Sequence, residues 1–297
     1  MDIRNPMNLW WLTMVMINGA GFLVYLRLWR SSAAGDSREP ENRRYKKILR
    51  ICGGIFVFVS LYRSIFVCSY PSRLAWFPTM FNSPLIIRML ATFAELSFAL
   101  LVALPVIHVN RELPPQTEFS RGKLGRVLIF RLPWLTVICL FTAQFFAYTG
   151  LFTQHLILFA IEESLWALGF LAIAPAVLTQ CFCVWKYHGK DPAYGLIRLS
   201  MLLLGIFTAG YLLYQLGYAL PFNYYARIGE DLQRTHPGIL EGLGRALFDF
   251  TATRDFDTWG GIGFFIWHSG YFSICTWLNM VYAMAPRKLL PENREKV

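Results

Sequence analysis

Glu162 and Glu163 stand side by side in FAIEESLWALGF, inside an apolar run that extends from Leu156 to Val184. About 20 such residues cross the hydrocarbon of a bilayer. A carboxylate at that depth is costly, and intramembrane ionisable residues usually mark pockets or pathways. Other apolar runs carry further candidates: Arg63, Arg88, Glu95, Gln144, Tyr214, Tyr271 and His268. Arg88 and Glu95 are two helical turns apart and share a face, as do His155, Glu162 and Trp166. Adjacent residues on a helix point about 100° apart, so Glu162 and Glu163 must meet different neighbours. Arg63 and Arg88 are the natural cationic partners, because guanidinium pairs with carboxylate through forked hydrogen bonds.

The chemistry suited to this set is acid–base work on an amphipathic molecule. Carboxyl groups held in different surroundings can divide the acid and base roles. Glu162 and Glu95 are the leading candidates, with Glu163 nearby and His268 as proton partner. Arg63 and Arg88 would hold a phosphate or carboxylate head group. Trp166, Gln144, Tyr214 and Tyr271 would contact the rest of the molecule, with Trp166, Trp267 and Tyr271 offering an aromatic cage.

The elements that position these residues follow from composition. Of 297 residues, 56% are hydrophobic and 15% charged, with mean hydropathy +0.42. A soluble domain carries about a quarter charged residues, so the expected fold is an all-α, polytopic integral membrane protein. Seven transmembrane helices are expected, near 7–29, 49–69, 85–107, 127–149, 154–184, 197–220 and 259–284. MDIRNP is not a basic leader, so the first run reads as a retained helix. Pro105, Pro133 and Pro175 would interrupt the third, fourth and fifth spans.

Basic residues set the orientation. Arg30, Arg38, Arg43, Arg44, Lys46, Lys47 and Arg50 crowd the first link, and Arg111, Arg121, Lys123 and Arg126 the third. Lys186 and Lys190, then Arg287, Lys288, Arg294 and Lys296, continue the alternation. The amino terminus is therefore expected outside and the carboxyl terminus in the cytoplasm. Glu162, Glu163, Glu95, Arg88, Arg63 and His268 then fall in the outer half or near the midplane of one bundle. The net charge of +10 belongs to the juxtamembrane links, where anionic lipid head groups are the expected partners. No nucleic-acid motif accompanies it.

Two links have character of their own. CSYPSRLAWFPTMFNSP (68–84) reads as an ordered cap, with Trp76 and Phe77 at head-group level. The outer link 221–258 contains THPGILEGLGRALFDF, in which Thr235 and Pro237 open an amphipathic interfacial helix with Ile239, Leu243, Leu247 and Phe250 on one face. His108, His188 and His236 read as loop histidines, and His155 lies at the outer membrane boundary. The six cysteines form no CxxC pair and indicate no disulfide framework.

Several chemistries lack their residues. HExxH and HxxxH are missing, as are GxSxG, the P-loop and the Gly-rich dinucleotide fingerprint. The last span holds no lysine for a retinal Schiff base. No metal-ligand set and no cofactor is expected. Three functions fit: an enzyme acting on a lipid, isoprenoid or other amphipathic substrate; a carrier or receptor for a small anionic or amphipathic ligand; and an accessory subunit whose protein partners the sequence does not name. The orientation is checked by fusing a reporter to each terminus. The carboxyl-terminal fusion should be active only in the cytoplasm, and the amino-terminal one only on the opposite side.

Overall fold

The computed structural model describes residues 5–33, 43–112, 130–190 and 195–284, with positions 125 and 127. It is all-α apart from three two-residue strands. In chain order the elements are α1 (Pro6–Ala33), α2 (Arg43–Ile65), β1 (Cys68–Ser69), β2 (Leu74–Ala75), α3 (Pro84–Glu112), α4 (Leu132–Thr153) and α5 (Leu156–His188). Then come α6 (Gly195–Tyr214), a π-helical segment (Gln215–Tyr225), α7 (Ala226–Asp231), α8 (Ile239–Phe248) and β3 (Thr251–Ala252). The chain ends with α9 (Gly261–Ser269), a second π segment (Gly270–Ile274) and α10 (Cys275–Met284).

Six helices are long and apolar enough to cross a membrane: Pro6–Arg30, Arg43–Ile65, Pro84–Val109, Leu132–Thr153, Leu156–Lys186 and Ile197–Asp231. That is the character of a multi-pass membrane protein. The bundle is inside-out in the sense a bilayer requires. Leu178, Phe182, Ile206 and Leu213 stand exposed, while Arg63, Arg88, Glu95, Gln144, Glu162 and His268 are buried. The stretch expected as a seventh span is helical from α9 to α10 but is not among the six. Its His268, Ser269, Ser273, Thr276 and Asn279 dilute its apolar character.

The core is shared by most of the long helices. Phe56 and Val59 of α2 meet Phe98 and Val102 of α3, Leu140 of α4, Phe170 and Ile173 of α5, Met201 and Leu204 of α6, and Leu278 of α10. Consecutive helices pack as neighbours, and α10 returns to pack on α2. Pro105 and Pro175 lie inside α3 and α5. Pro133, expected to interrupt the fourth span, instead lies in the first turn of α4, where no hydrogen-bond donor is needed.

One end of the bundle carries the ordered links. β1 and β2 form an antiparallel hairpin, and β3 joins β2 in parallel. Trp76, expected at head-group level, is buried there, with Trp10, Trp11 and Trp259 around it. The reason is that α1, which carries both Trp10 and Trp11, and the segment around Trp259 converge on its ring. The sixth long helix does not stop near Leu220 but continues through the π segment to Asp231. α8 follows, with Gly238 at its N-cap position and no capping side chain. Gly242 and Ala246 face the bundle, whereas Ile239, Leu240 and Phe248 point away from it. The seat is close because it is made of small residues. A β-carbon on Gly242 would collide with the Phe152 backbone carbonyl.

Gly242→Ala should therefore unseat α8 and cost about 1–3 kcal/mol, as overpacking typically does. Protease sensitivity of the 232–238 segment, measured beside the melting temperature, checks this.

Candidate functional site

The centre of the site is the Arg88 guanidinium, which is fully buried one turn into α3. Its Nη2 donates to Glu95 Oε2 at 2.7 Å and to Gln144 Oε1. Its Nη1 donates to Glu162 Oε1 at 3.0 Å and to the Tyr70 hydroxyl at 2.9 Å. Gln144 Nε2 closes the ring by donating to Glu95 Oε2 at 2.9 Å and to Leu140 O at 3.0 Å. Helices α3, α4 and α5 and the β1–β2 link thus each send an acceptor to one cation.

The helical phases explain this convergence. Arg88 and Glu95 pair along one face of α3 because two turns separate them. Glu162 reaches Arg88, while its neighbour Glu163 turns toward the π segment and accepts from Gln215 Nε2. Ser164 then faces Tyr225, their hydroxyls 2.7 Å apart. Tyr148 holds the flank of α3 through Thr92, hydroxyl to hydroxyl at 3.3 Å.

Tyr70 was not singled out in the sequence, because a loop residue has no helical phase to follow. Burial pushes its phenol above the ordinary tyrosine range, and the Arg88 cation draws it partly back. Its ring also lies between two guanidinium groups, 5.3 Å from the Arg88 carbon and 5.8 Å from that of Arg63.

Arg63 behaves differently from Arg88. It is buried, 3% exposed, yet among the described residues its guanidinium pairs with no carboxylate. It rests instead over the Phe272 ring at 4.5 Å, a cation–π arrangement. His268 packs on the same Phe272 ring, with centroids 4.5 Å apart, and on Trp10 at 5.2 Å. Tyr271 contacts Phe272 at 5.0 Å. His268 Nδ1 and the Tyr271 hydroxyl are buried without a hydrogen-bond partner among the described residues. Among the described residues no hydrogen bond joins His268 to Glu95, Glu162 or Glu163.

The site therefore has a half around Arg88 in which both terminal guanidinium nitrogens donate twice and only Nε lacks a partner among the described residues, and a less engaged half around Arg63, His268 and Tyr271. Of the aromatic set, Trp267 stacks on Tyr271 at 5.9 Å and 7°. Trp166 instead lies against Phe170 and Tyr211, each 6.2 Å away. Tyr214 packs on Tyr218 at 5.9 Å, at the entrance to the π segment that holds Glu163.

Chemically, the Arg88 half fixes geometry, and its surplus of carboxylates over cations leaves acid–base capacity in place. The other half presents a cation held against rings, together with His268 Nδ1 and the Tyr271 hydroxyl, for which no hydrogen-bond partner stands among the described residues. Comparison with known protein families, characterised proteins and solved structures finds no match to this chain.

Removing one member of a buried ion pair strands the other, at a cost of about 3–5 kcal/mol. Arg88→Leu should incur at least that loss, because it abandons two carboxylates together. Glu162→Gln should cost less, since an amide oxygen still accepts from Nη1. Thermal unfolding in detergent separates the two variants. The pH response of Tyr70 has a definite sign as well. A phenol raised in the folded state favours folding at neutral pH and loses that contribution as the pH climbs beyond about 10. Tyr70→Phe should flatten this part of the decline in melting temperature between neutral and strongly alkaline pH.

Proposed function

We propose that the chain is a seven-span membrane protein with an external amino terminus, acting on a lipid, isoprenoid or other amphipathic anion within its outer half. The observation that carries this reading is the buried Arg63 guanidinium, unpaired among the described residues, beside a cluster in which carboxylates outnumber cations. A buried cation without a partner is expensive, and an anionic head group is the partner that would offset the cost. His268 and Tyr271 supply two more polar groups around the same Phe272 ring.

In this reading Arg63 holds the head group, and the aromatic side chains Trp166, Tyr214 and Tyr271 receive the apolar body. Glu162 and Glu95 exchange protons with the bound molecule, Arg88 and Gln144 hold them in register, and Glu163 is the reserve carboxylate on the far side of α5. His268 serves the head group rather than the carboxylates, because its ring shares the Arg63 side of the site. The substrate enters laterally from the membrane. α8, seated through Gly242, lies along the outer interface with Leu240 and Phe248 toward lipid. Basic juxtamembrane residues hold the opposite face against anionic head groups.

A second reading, as a carrier or receptor, is favoured by one observation. Two helices that border the site contain π segments, Gln215–Tyr225 and Gly270–Ile274. Such segments interrupt the regular hydrogen-bond ladder and are frequent at functional sites. Gln215, the Glu163 partner, opens the first of them.

Lipid mass spectrometry on purified protein tests the shared premise. An acidic amphipath should co-purify with the wild type and be lost from Arg63→Gln at unchanged melting temperature. Retention of the same molecule by Arg63→Gln overturns the assignment. Once the molecule is known, Glu162→Gln separates the two readings. An enzyme would keep binding it but lose turnover by about 100-fold or more, the usual weight of an acid–base group. A carrier would show no turnover in either form and lose only translocation.

A further inference from the structure

His155, Asp231 and His236 come together at the end of the bundle, away from the Arg88 cluster. His155 precedes α5, at the turn where Gln154 takes a left-handed conformation with φ 60°. Asp231 ends α7, and His236 lies in the link to α8. One ligating atom from each of the three lies within 4.8 Å of the other two. The two imidazole rings face one another with centroids 3.7 Å apart. Asp231 is buried, and both histidines are half-buried.

Hydrogen bonds account for part of this cluster and leave the rest open. Asp231 Oδ2 accepts the Leu156 N–H at 2.7 Å, which caps the start of α5. His236 Nε2 lies 2.9 Å from the Asp231 carbonyl oxygen and 3.6 Å from Asp231 Oδ2. The His155 ring nitrogens make no hydrogen bond among the described residues. A second imidazole is thus brought against the first with no acceptor assigned to it.

We propose that His155, Asp231 and His236 form a binding site for a divalent transition-metal ion of the zinc class. Two imidazole nitrogens and one carboxylate oxygen are a donor set suited to zinc and its neighbours. Calcium and magnesium prefer oxygen alone. Zinc bonds to these groups run about 2.0–2.2 Å, so the three atoms must draw together by roughly an ångström, within the reach of histidine side-chain torsions. The Leu156 N–H on Asp231 acts as the outer hydrogen bond that orients a ligating carboxylate. Three protein ligands leave a fourth position for water or a small anion.

The positive end of the α5 dipole opposes a cation here. Asp231 offsets it, and the site therefore depends on that carboxylate. A bound ion would tie the start of α5, the end of the long π-containing helix and the link to α8 into one unit. This assignment is independent of the function proposed for the Arg88 cluster.

Tag-free, chelator-treated protein titrated with Zn²⁺ tests it. The wild type should take up one ion per chain at micromolar concentration and melt at a higher temperature with the ion than without. His155→Ala and His236→Ala should each weaken uptake at least tenfold and abolish the melting shift, whereas Cys181→Ser should change neither. Uptake that is unaltered in both histidine variants, that follows Cys181, or that is absent from the wild type overturns the site. Co²⁺ absorption of the wild type serves if the variants fail to fold. Nitrogen and oxygen coordination gives visible bands without a thiolate charge-transfer band, and a thiolate band refutes the assignment.

Discussion

A guanidinium with no access to water cannot remain in an apolar bundle unless acceptors surround it, and Arg88 imposes that requirement on its neighbours. The desolvation of such a group is worth several kcal/mol, on the order of what a well-made buried ion pair returns. Its net gift to stability is therefore modest, but its geometric demand is strict. Glu95 must lie two turns along the same helix, Gln144 must face α3 from α4, Glu162 must approach from α5, and the link after β1 must carry Tyr70 inward. Sliding any one of these helices by a turn would leave a charge or a donor unsatisfied. Register among three helices and a loop follows from one cation.

The apolar core could not impose that register alone. Its side chains are large and similar, as Phe98, Phe170 and Phe207 show in packing on each other. Lipid removes much of the hydrophobic penalty for misalignment, because acyl chains are as apolar as the core. Directional polar contacts then decide between alignments that packing scarcely distinguishes. The same logic sets apart the neighbourhood of Arg63. Rings, rather than acceptors, surround that cation, and Phe272 cushions it together with His268 and Tyr271. The bundle thus holds one charge ringed by acceptors and another that, among the described residues, meets rings and no carboxylate.

Much of this arrangement could be read from residue types and spacing. Composition alone required long membrane-crossing helices. The two-turn spacing of Arg88 and Glu95 placed both on one face, and the adjacency of Glu162 and Glu163 required them to diverge. What could not be read depended on tertiary placement. Tyr70 sits in a loop, where no periodicity predicts direction. Arg63 has the same residue type as Arg88, and only the positions of other helices decide that no carboxylate meets it among the described residues. Trp76 resembles an interfacial aromatic until Trp10, Trp11 and Trp259 are seen around it. Among the polar residues of the last helix, His268, Thr276 and Asn279 are buried within the bundle, yet by composition these residues only weaken the case for a span. Histidines as far apart in the chain as His155 and His236 meet because α5, the long sixth helix and its following link return to the same end of the bundle.

The pairing of Arg88 with Glu95 has a consequence for how the chain is made. Both residues belong to α3, so their charges can neutralise one another while that helix is alone, before α4 and α5 have left the ribosome. A helix that carries its own counter-ion presents the translocon with a dipole rather than two bare ions, and partitions sideways into lipid at a correspondingly smaller penalty. Glu162 arrives later, in a helix without a cation at that level, and finds the guanidinium already waiting. Biogenesis and final architecture are in this way served by the same seven-residue interval.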